Sequence, residues 1–272
     1  MSKKYGKSTR AKRSFGQNFL VDHGYVAKIV ASLDLSVEDT VVEIGAGSGA
    51  LTESLLETGA DVLAIEIDRD LHPVLRERFA DVANFRLIAD DVLKVEFASV
   101  LSENSITPPV KLVGNLPYNI STAILERVIA ARFLFSRAVF MFQREVVERI
   151  TAPAGDSERG FYTVLVESAF ESEHLFDVPP KAFSPRPSVQ SAVVALTPKP
   201  PGLGDDPAFR KLISAAFAQK RKTIFNNLRH SMPNADTILS DAAIDARRRA
   251  ETLTMLEWYR LYETINKKGR TP

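Results

Sequence analysis

Asn115, Leu116, Pro117 and Tyr118 follow one another directly after an apolar run, and together they offer two carbonyl acceptors, a backbone nitrogen with no hydrogen and an aromatic face. Such a set suits methylation of an exocyclic amine on a nucleobase. That amine is a poor nucleophile because its lone pair is delocalised into the ring. The side-chain carbonyl of Asn115 and the backbone carbonyl of Leu116 can accept the two amino hydrogens, which draws the nitrogen toward tetrahedral geometry. Pro117 fixes the turn and donates no competing hydrogen. Tyr118 offers a face to a base that has left its stack. The nitrogen becomes acidic only after it gains the methyl group, so no strong base is required; rate enhancement would come from positioning and from dipoles aimed at the developing charge.

A second cluster lies upstream. VVEIGAGSGALT places Gly45, Gly47 and Gly49 after a strand-like run and before a helical one, and Gly45, Gly47 and Ala50 also satisfy G-x-G-x-x-A. Glu66 stands about 20 residues on, the spacing at which an acid binds ribose hydroxyls. Taken locally, the loop fits a nicotinamide dehydrogenase as well as an enzyme that uses S-adenosylmethionine. Further along, IADDVL supplies Asp91, with Asp90 as its neighbour, as an acceptor for the amino group of a cofactor adenine.

The elements that must hold these residues are legible as alternating patterns. Apolar runs at 41–45, 62–66, 85–89, 111–115 and 138–143 read as buried strands of a mostly parallel sheet. Helical spacing lies between them, as with Leu71, Val74, Leu75 and Arg78. This alternation predicts a doubly wound, Rossmann-like α/β domain. A leading helix is predicted from Asp22 as N-cap with Val26, Ile29, Val30 and Leu33 on one face. Helices near 144–151 and 162–170 precede strand-like runs at 172–178 and 190–197, joined by a link holding Pro179, Pro180, Pro185 and Pro187. Five parallel strands followed by a hairpin pair predict the seven-stranded methyltransferase sheet.

TPKPPGLGDDP, at 197–207, marks a boundary. Beyond it Asp205 or Asp206 can cap a helix that Pro207 opens, with Phe209, Leu212, Ile213, Ala216 and Phe217 as its apolar stripe. The expected organisation is a basic, flexible tail over 1–14, a methyltransferase domain over 15–200 and a small helical RNA-binding domain over 201–272.

Composition narrows the chemistry. The 272 residues are 45% hydrophobic and 25% charged, ordinary globular usage that disfavours disorder or a coiled-coil rod. No apolar run approaches the roughly 20 residues of a membrane span, so a soluble, cytoplasmic protein is expected. Cysteine is absent, which excludes disulfides, thiolate metal sites and a cysteine nucleophile. His23, His72, His174 and His230 lie far apart, so neither a metal centre nor a histidine base is expected. The net charge of +1 hides segregation: residues 1–14 carry +6 with no acid, leaving −5 for the rest. A second acid-free stretch runs from Arg210 to Arg229 and includes Lys220, Arg221 and Lys222.

With those residues in view, the chain resembles the ribosomal RNA adenine dimethyltransferase family, and more closely its small-subunit branch. RSFGQNFLVD (13–22), the glycine loop, MFQREVVERI (141–150), FSPRPSVQS (183–191) and AAFAQKRKTIFNNL (215–228) carry the resemblance over most of the chain. It implies S-adenosylmethionine as cofactor, held by Asn18, Leu20, Gly45, Gly47, Glu66, Asp91 and Asn115. It implies that Asn115, Leu116, Tyr118 and Phe183 serve the transfer, with Phe183 stacking on the target adenine opposite Tyr118. The product would be N6,N6-dimethyladenosine at two adjacent positions in a hairpin loop near the 3′ end of small-subunit (16S) rRNA, formed during ribosome biogenesis. The partner would be this rRNA in the 30S subunit or its precursor, met by a monomer through the basic tail and the 210–229 face, with Arg144, Lys220, Arg221 and Lys222 on phosphates. Two departures stand out: AGDSERGFYTVL (154–165) replaces an expected lysine, tyrosine and glycine pattern, and Arg144 replaces the usual lysine. Other readings of these motifs are a large-subunit adenine methyltransferase of the macrolide-resistance type, favoured less because of Leu116 and the C-terminal helices, and a non-enzymatic assembly or transcription factor. A dehydrogenase leaves the Asn-Leu-Pro-Tyr turn without a role.

Overall fold

The computed structural model describes residues 17–117 and 120–269. The 1–14 segment and Tyr118 therefore lie outside the described residues. The chain begins with a two-residue strand, β1 (Phe19–Leu20), and α1 (His23–Ala31). Asp22 caps α1 as expected, accepting the Gly24 N–H at 2.9 Å, and Val26, Ile29 and Val30 turn inward. There follow β2 (Thr40–Ile44), α2 (Ala50–Leu56), β3 (Asp61–Ile65), α3 (Leu71–Arg78), β4 (Phe85–Ile88), α4 (Phe97–Glu103), β5 (Val110–Asn115), α5 (Ser121–Ala130) and β6 (Phe135–Gln143). The rhythm then changes to α6 (Arg144–Ile150), α7 (Phe161–Ala169), β7 (Phe170–Val178), β8 (Phe183–Ser184) and β9 (Ser191–Pro198).

Seven strands form one sheet in the order β4-β3-β2-β5-β6-β9-β7, the Rossmann-like methyltransferase arrangement that the sequence predicts. Strands β2 to β6 pair in parallel and β9 runs antiparallel to β6. Both faces are covered, so the centres of β2, β3 and β5 carry consecutive buried apolar residues, at 41–42, 62–65 and 112–113, and burial of each large apolar side chain stabilises by about 1.5–3 kcal/mol. Register decides function: Ile44 pairs with Ile65 and with Gly114, and Ile65 pairs with Ile88. The residues that follow these, Gly45, Glu66 and Asn115, are thereby brought to one carboxyl edge. Two-residue strands are too short to read from periodicity, and β1 with β8 forms a small antiparallel sheet that the sequence did not foretell, Leu20 pairing with Phe183.

The described residues fall into two compact units, one holding those up to 144 together with 174–197, the other 145–173 and 198–269. In the second unit α8 (Pro207–Ala216), α9 (Ile224–Leu228), α10 (Ala235–Asp241) and α11 (Met255–Gly269) join α6 and α7. Asp206 caps α8 through the Ala208 N–H at 2.8 Å, and Phe209, Leu212, Ile213 and Ala216 are buried. Trp258 is fully buried, with Phe217 at 5.9 Å between ring centroids. Lys220, Arg221 and Lys222 are exposed in the turn between α8 and α9. Asn227 donates to the carbonyls of Ala216 (2.6 Å) and Gln219 (3.2 Å) and accepts the Gln219 N–H (3.2 Å), ending α8 and fixing the turn.

Candidate active site

At the carboxyl edge of the sheet lies a cavity of about 200 Å³. The glycine loop forms one wall. Gly45 and Gly47 have φ of +75° and +58°, a region costly for residues with a Cβ. A Cβ on Gly45 would project into open space, its closest neighbour the Asn115 carbonyl oxygen at 4.0 Å, whereas one on Gly47 would meet the Phe19 ring at 3.1 Å. The loop is thus shaped so that backbone, and nothing larger, borders the cavity.

Glu66 closes one end. It is 4% exposed, and its two oxygens accept the backbone N–H groups of Gly47 and Asp68, each at 2.8 Å. Burial pushes its carboxyl above the usual range, opposed by those two hydrogen bonds. The His72 ring nitrogen Nε2 lies 2.8 Å from the Glu66 carbonyl, so it is the protonated nitrogen and donates to that oxygen. Two residues before the loop, Glu43 is 1% exposed, takes the Thr52 hydroxyl at 2.6 Å and is pushed up to about 7 by burial.

Asp90 and Asp91 line the next stretch with Val92 and Leu93. One oxygen of Asp91 accepts the Leu93 N–H at 2.9 Å, which holds the turn after β4 in place. Across the cavity, Asn115 donates its side-chain Nδ2 to the Asn18 carbonyl at 3.0 Å. A carbonyl can only accept, so this bond fixes which way the Asn115 amide points: Oδ1 is its acceptor arm. Leu116 and Pro117 continue the wall, the Leu116 N–H bonding to the Met141 carbonyl at 3.2 Å. Gly114 permits this close approach, since a Cβ there would lie 2.7 Å from the Leu116 side chain and 2.9 Å from the Ile44 carbonyl.

Of the residues singled out in the sequence, Asn18, Gly45, Gly47, Glu66, Asp91, Asn115 and Leu116 line this one cavity. Leu20 and Phe183 do not. They are 6% and 3% exposed and sit in the apolar core with Val178 and Ala182, held there by the pairing of β1 with β8. Arg144 begins α6 at the same sheet edge, where it reaches Gln190 at 3.1 Å and Asp177 at 3.4 Å. Gln17 and Ile67 are additions that motif reading missed; Gln17 adjoins Asn18 within the quoted N-terminal motif and could have been found there. Among the described residues no group of three or more His, Asp and Glu could hold a metal ion, and no helix is long and apolar enough to cross a membrane.

Comparison with known proteins places this geometry. Residues 8–267 match the family described as ribosomal RNA adenine dimethylase. The chain is 44% identical over 262 residues to the ribosomal RNA small subunit methyltransferase A of Syntrophotalea carbinolica, covering 94% of this chain and 97% of that one. It is 43% identical to the protein of the same name from Thermotoga maritima, covering 96% and 87%. Among solved structures, a dimethyladenosine transferase from Plasmodium falciparum superposes with a TM-score of 0.78 at 27% identity, covering 92% of this chain and 98% of that one. The 23S rRNA methyltransferase ErmE superposes with a TM-score of 0.70 at 25% identity, covering 92% and 100%.

Proposed function

This chain belongs to the ribosomal RNA adenine dimethylase family and is an S-adenosylmethionine-dependent rRNA adenine dimethyltransferase; on that premise we propose that it dimethylates N6 of two adjacent adenosines in the 3′-terminal hairpin loop of small-subunit rRNA, in the cytoplasm, during subunit assembly. The observation that carries this reading is the Asn115 amide, anchored through Nδ2 on the Asn18 carbonyl so that Oδ1 is the acceptor of a residue lining the cavity. A fixed acceptor there suits an amine donor.

The residues fit the cofactor. Each Glu66 oxygen uses one lone pair on a backbone N–H and retains another, which matches two vicinal ribose hydroxyls. Gly45 leaves room beside Asn115 for the methionine part, and Asp91 with Val92 and Leu93 offers an acid and an apolar wall to an adenine. When bound, the cofactor supplies a methyl group made electrophilic by its sulfonium.

The chain's own groups then do the rest. Asn115 Oδ1 and the Leu116 carbonyl accept the two amino hydrogens of the target adenine and withdraw the nitrogen lone pair from the ring. After one methylation a single N–H remains, so one of the two acceptors suffices to orient the second transfer. The released proton passes to water, and no side-chain base is asked for. Tyr118 provides the stacking face. Phe183 pairs with Leu20 in the strand that follows Asn18, and we assign the two that support rather than contact with the cofactor or the base. Relatives named for the small subunit, at 40–44% identity, favour that substrate over the large subunit, whose enzyme ErmE stands at 25%.

RNA phosphates are assigned to the 1–14 segment, Arg144 and the helical residues 201–272, foremost Lys220, Arg221 and Lys222, with the protein acting as a monomer. Reversing those three charges is expected to weaken RNA binding and flatten its salt dependence by a slope of about 3; an unchanged slope rejects this assignment. The wider reading is tested with labelled S-adenosylmethionine and unmethylated small subunits. Label in two adjacent adenosines near the 3′ end is expected, and absence of transfer despite cofactor binding would favour a non-enzymatic assembly role.

A further inference from the structure

Asp68 is 2% exposed, yet it belongs to no part of the transfer chemistry. It stands two residues beyond Glu66, in the loop that leaves β3. One of its oxygens accepts the Asp70 N–H at 3.1 Å, which folds that loop, and the other accepts the side-chain amide of Gln17 at 2.9 Å. Gln17 lines the cavity next to Asn18. Asn18 in turn is gripped through its carbonyl by Asn115 at 3.0 Å. Past Asn18 the strand β1 is pinned by its pairing with β8, and the Val21 N–H bonds to the Ala182 carbonyl at 2.9 Å. A short strap thus crosses the cavity with one attachment on the β3 loop, one on the end of β5 and one on β8.

We propose that Asp68 is a positioning residue that tethers this strap, and that through the strap it couples occupancy of the cofactor site to the orientation of Asn115. The inference rests on the cofactor reading above. Its logic is mechanical. Gln17 and Asn18 are consecutive, so a displacement of one is passed on to the other through the backbone. Releasing Gln17 from Asp68 loosens the Asn18 carbonyl, and the Asn115 amide then loses the bond to that carbonyl which sets its rotation. A cofactor held against Gln17 and Asn18 would tighten the same strap from inside. Cofactor binding and base orientation would then reinforce one another, as any two events that draw on one ordering step do.

The test uses the full chain as wild type, Asp68→Ala, Gln17→Glu, and the exchanged pair Asp68→Asn with Gln17→Glu. In the exchanged pair the asparagine carbonyl still accepts the Asp70 N–H while its amide donates to the new carboxylate, so the tether is rebuilt with donor and acceptor reversed. Three quantities are read: amide hydrogen exchange over residues 17–21 without cofactor, the Kd for S-adenosylmethionine by calorimetry, and kcat against the KM for RNA. Asp68→Ala is expected to speed exchange in the strap about tenfold, weaken cofactor binding about tenfold and lower kcat while leaving the RNA KM unchanged. Gln17→Glu, which faces one carboxylate with another, is expected to do the same, and the exchanged pair to return within about threefold of wild type. Wild-type exchange and affinity in Asp68→Ala would overturn the proposal, as would an exchanged pair no better than Gln17→Glu alone. A wild-type protein that fails to bind S-adenosylmethionine would instead sink the cofactor reading, and the exchange data would still decide the strap.

Discussion

Two buried carboxylates of the sheet unit and one partly buried carboxylate of the helical unit are partnered in opposite ways. In the sheet unit, Glu43 and Glu66 are 1% and 4% exposed, and among the described residues their hydrogen-bond donors are neutral: a threonine hydroxyl for one, two backbone N–H groups for the other. Both carboxyls are pushed up by burial, Glu43 to about 7. In the helical unit, Glu257 is met by Arg248 at 2.5 Å and 3.0 Å and by the Thr254 N–H at 2.9 Å, and that guanidinium holds it down at about 2. The helical unit spends its acid on a structural clamp that joins residue 248 to α11. Among the described residues neither acid has a cationic hydrogen-bond partner, which costs stability in the protein alone; Glu66 lines the cavity and stays available to a ligand with hydroxyl donors, whereas Glu43 does not line it. Stability is thereby traded for binding in one unit and not in the other.

The largest expected effect tests the binding side of that contrast. Glu66→Ala removes the acceptor for two ribose hydroxyls and strands the Gly47 and Asp68 N–H groups, so calorimetry should show cofactor affinity reduced roughly 10²- to 10³-fold. Glu257→Ala should leave the same Kd unchanged; equal losses in both variants would erase the distinction between the units.

Next comes the stability cost at Glu43. Its folded pKa of about 7 lies above the ordinary 4.5, so the unfolded chain releases this proton first as pH rises. Stability is therefore undiminished below about pH 4.5, falls between 4.5 and 7 and carries the full penalty above 7. Glu43→Gln keeps an acceptor for Thr52 and abolishes the penalty. Urea denaturation should find the variant more stable at pH 8 by on the order of 3 kcal/mol, with the advantage gone near pH 4. An advantage independent of pH would contradict this account.

Glu257 gives a smaller effect of opposite sign. Its depressed pKa contributes stability above about pH 4.5 that is lost as pH falls through 2. The pair is 16% and 32% exposed, so solvent screening reduces its worth, and Glu257→Ala is expected to cost about 2 kcal/mol at pH 7. A loss that persisted unchanged at pH 3 would point to packing instead of the ion pair.

The contrast also explains what could be read in the sequence. The parallel strands were legible because burial on both faces leaves a continuous apolar run, and the register of β2, β3 and β5 then delivers the motif residues to one edge without further information. Gly45, Gly47, Glu66, Asp91, Asn115 and Leu116 announced themselves by type and spacing, whereas Asn18 was implied by the resemblance of the 13–22 motif. What stayed hidden depends on single long-range contacts. The end of α8 has no glycine or proline to mark it, and the side chain that holds the turn there is Asn227, eight residues beyond Gln219. The two-residue strands β1 and β8 carry no period, so the burial of Phe183 beside Leu20 could not be foreseen. The grouping of α6 and α7 with the C-terminal helices follows from tertiary packing and leaves no punctuation near residue 145.

The central claim is that Asn115, oriented by the Asn18 carbonyl, accepts the hydrogens of the adenine amine. It is tested most directly by mapping N6,N6-dimethyladenosine in unmethylated small subunits incubated with wild-type protein or Asn115→Ala at saturating cofactor. The account predicts two dimethylated neighbouring adenosines with wild type, and with Asn115→Ala a rate lower by about 10²- to 10³-fold while the protein still folds and binds cofactor. Near-normal dimethylation by Asn115→Ala would contradict it.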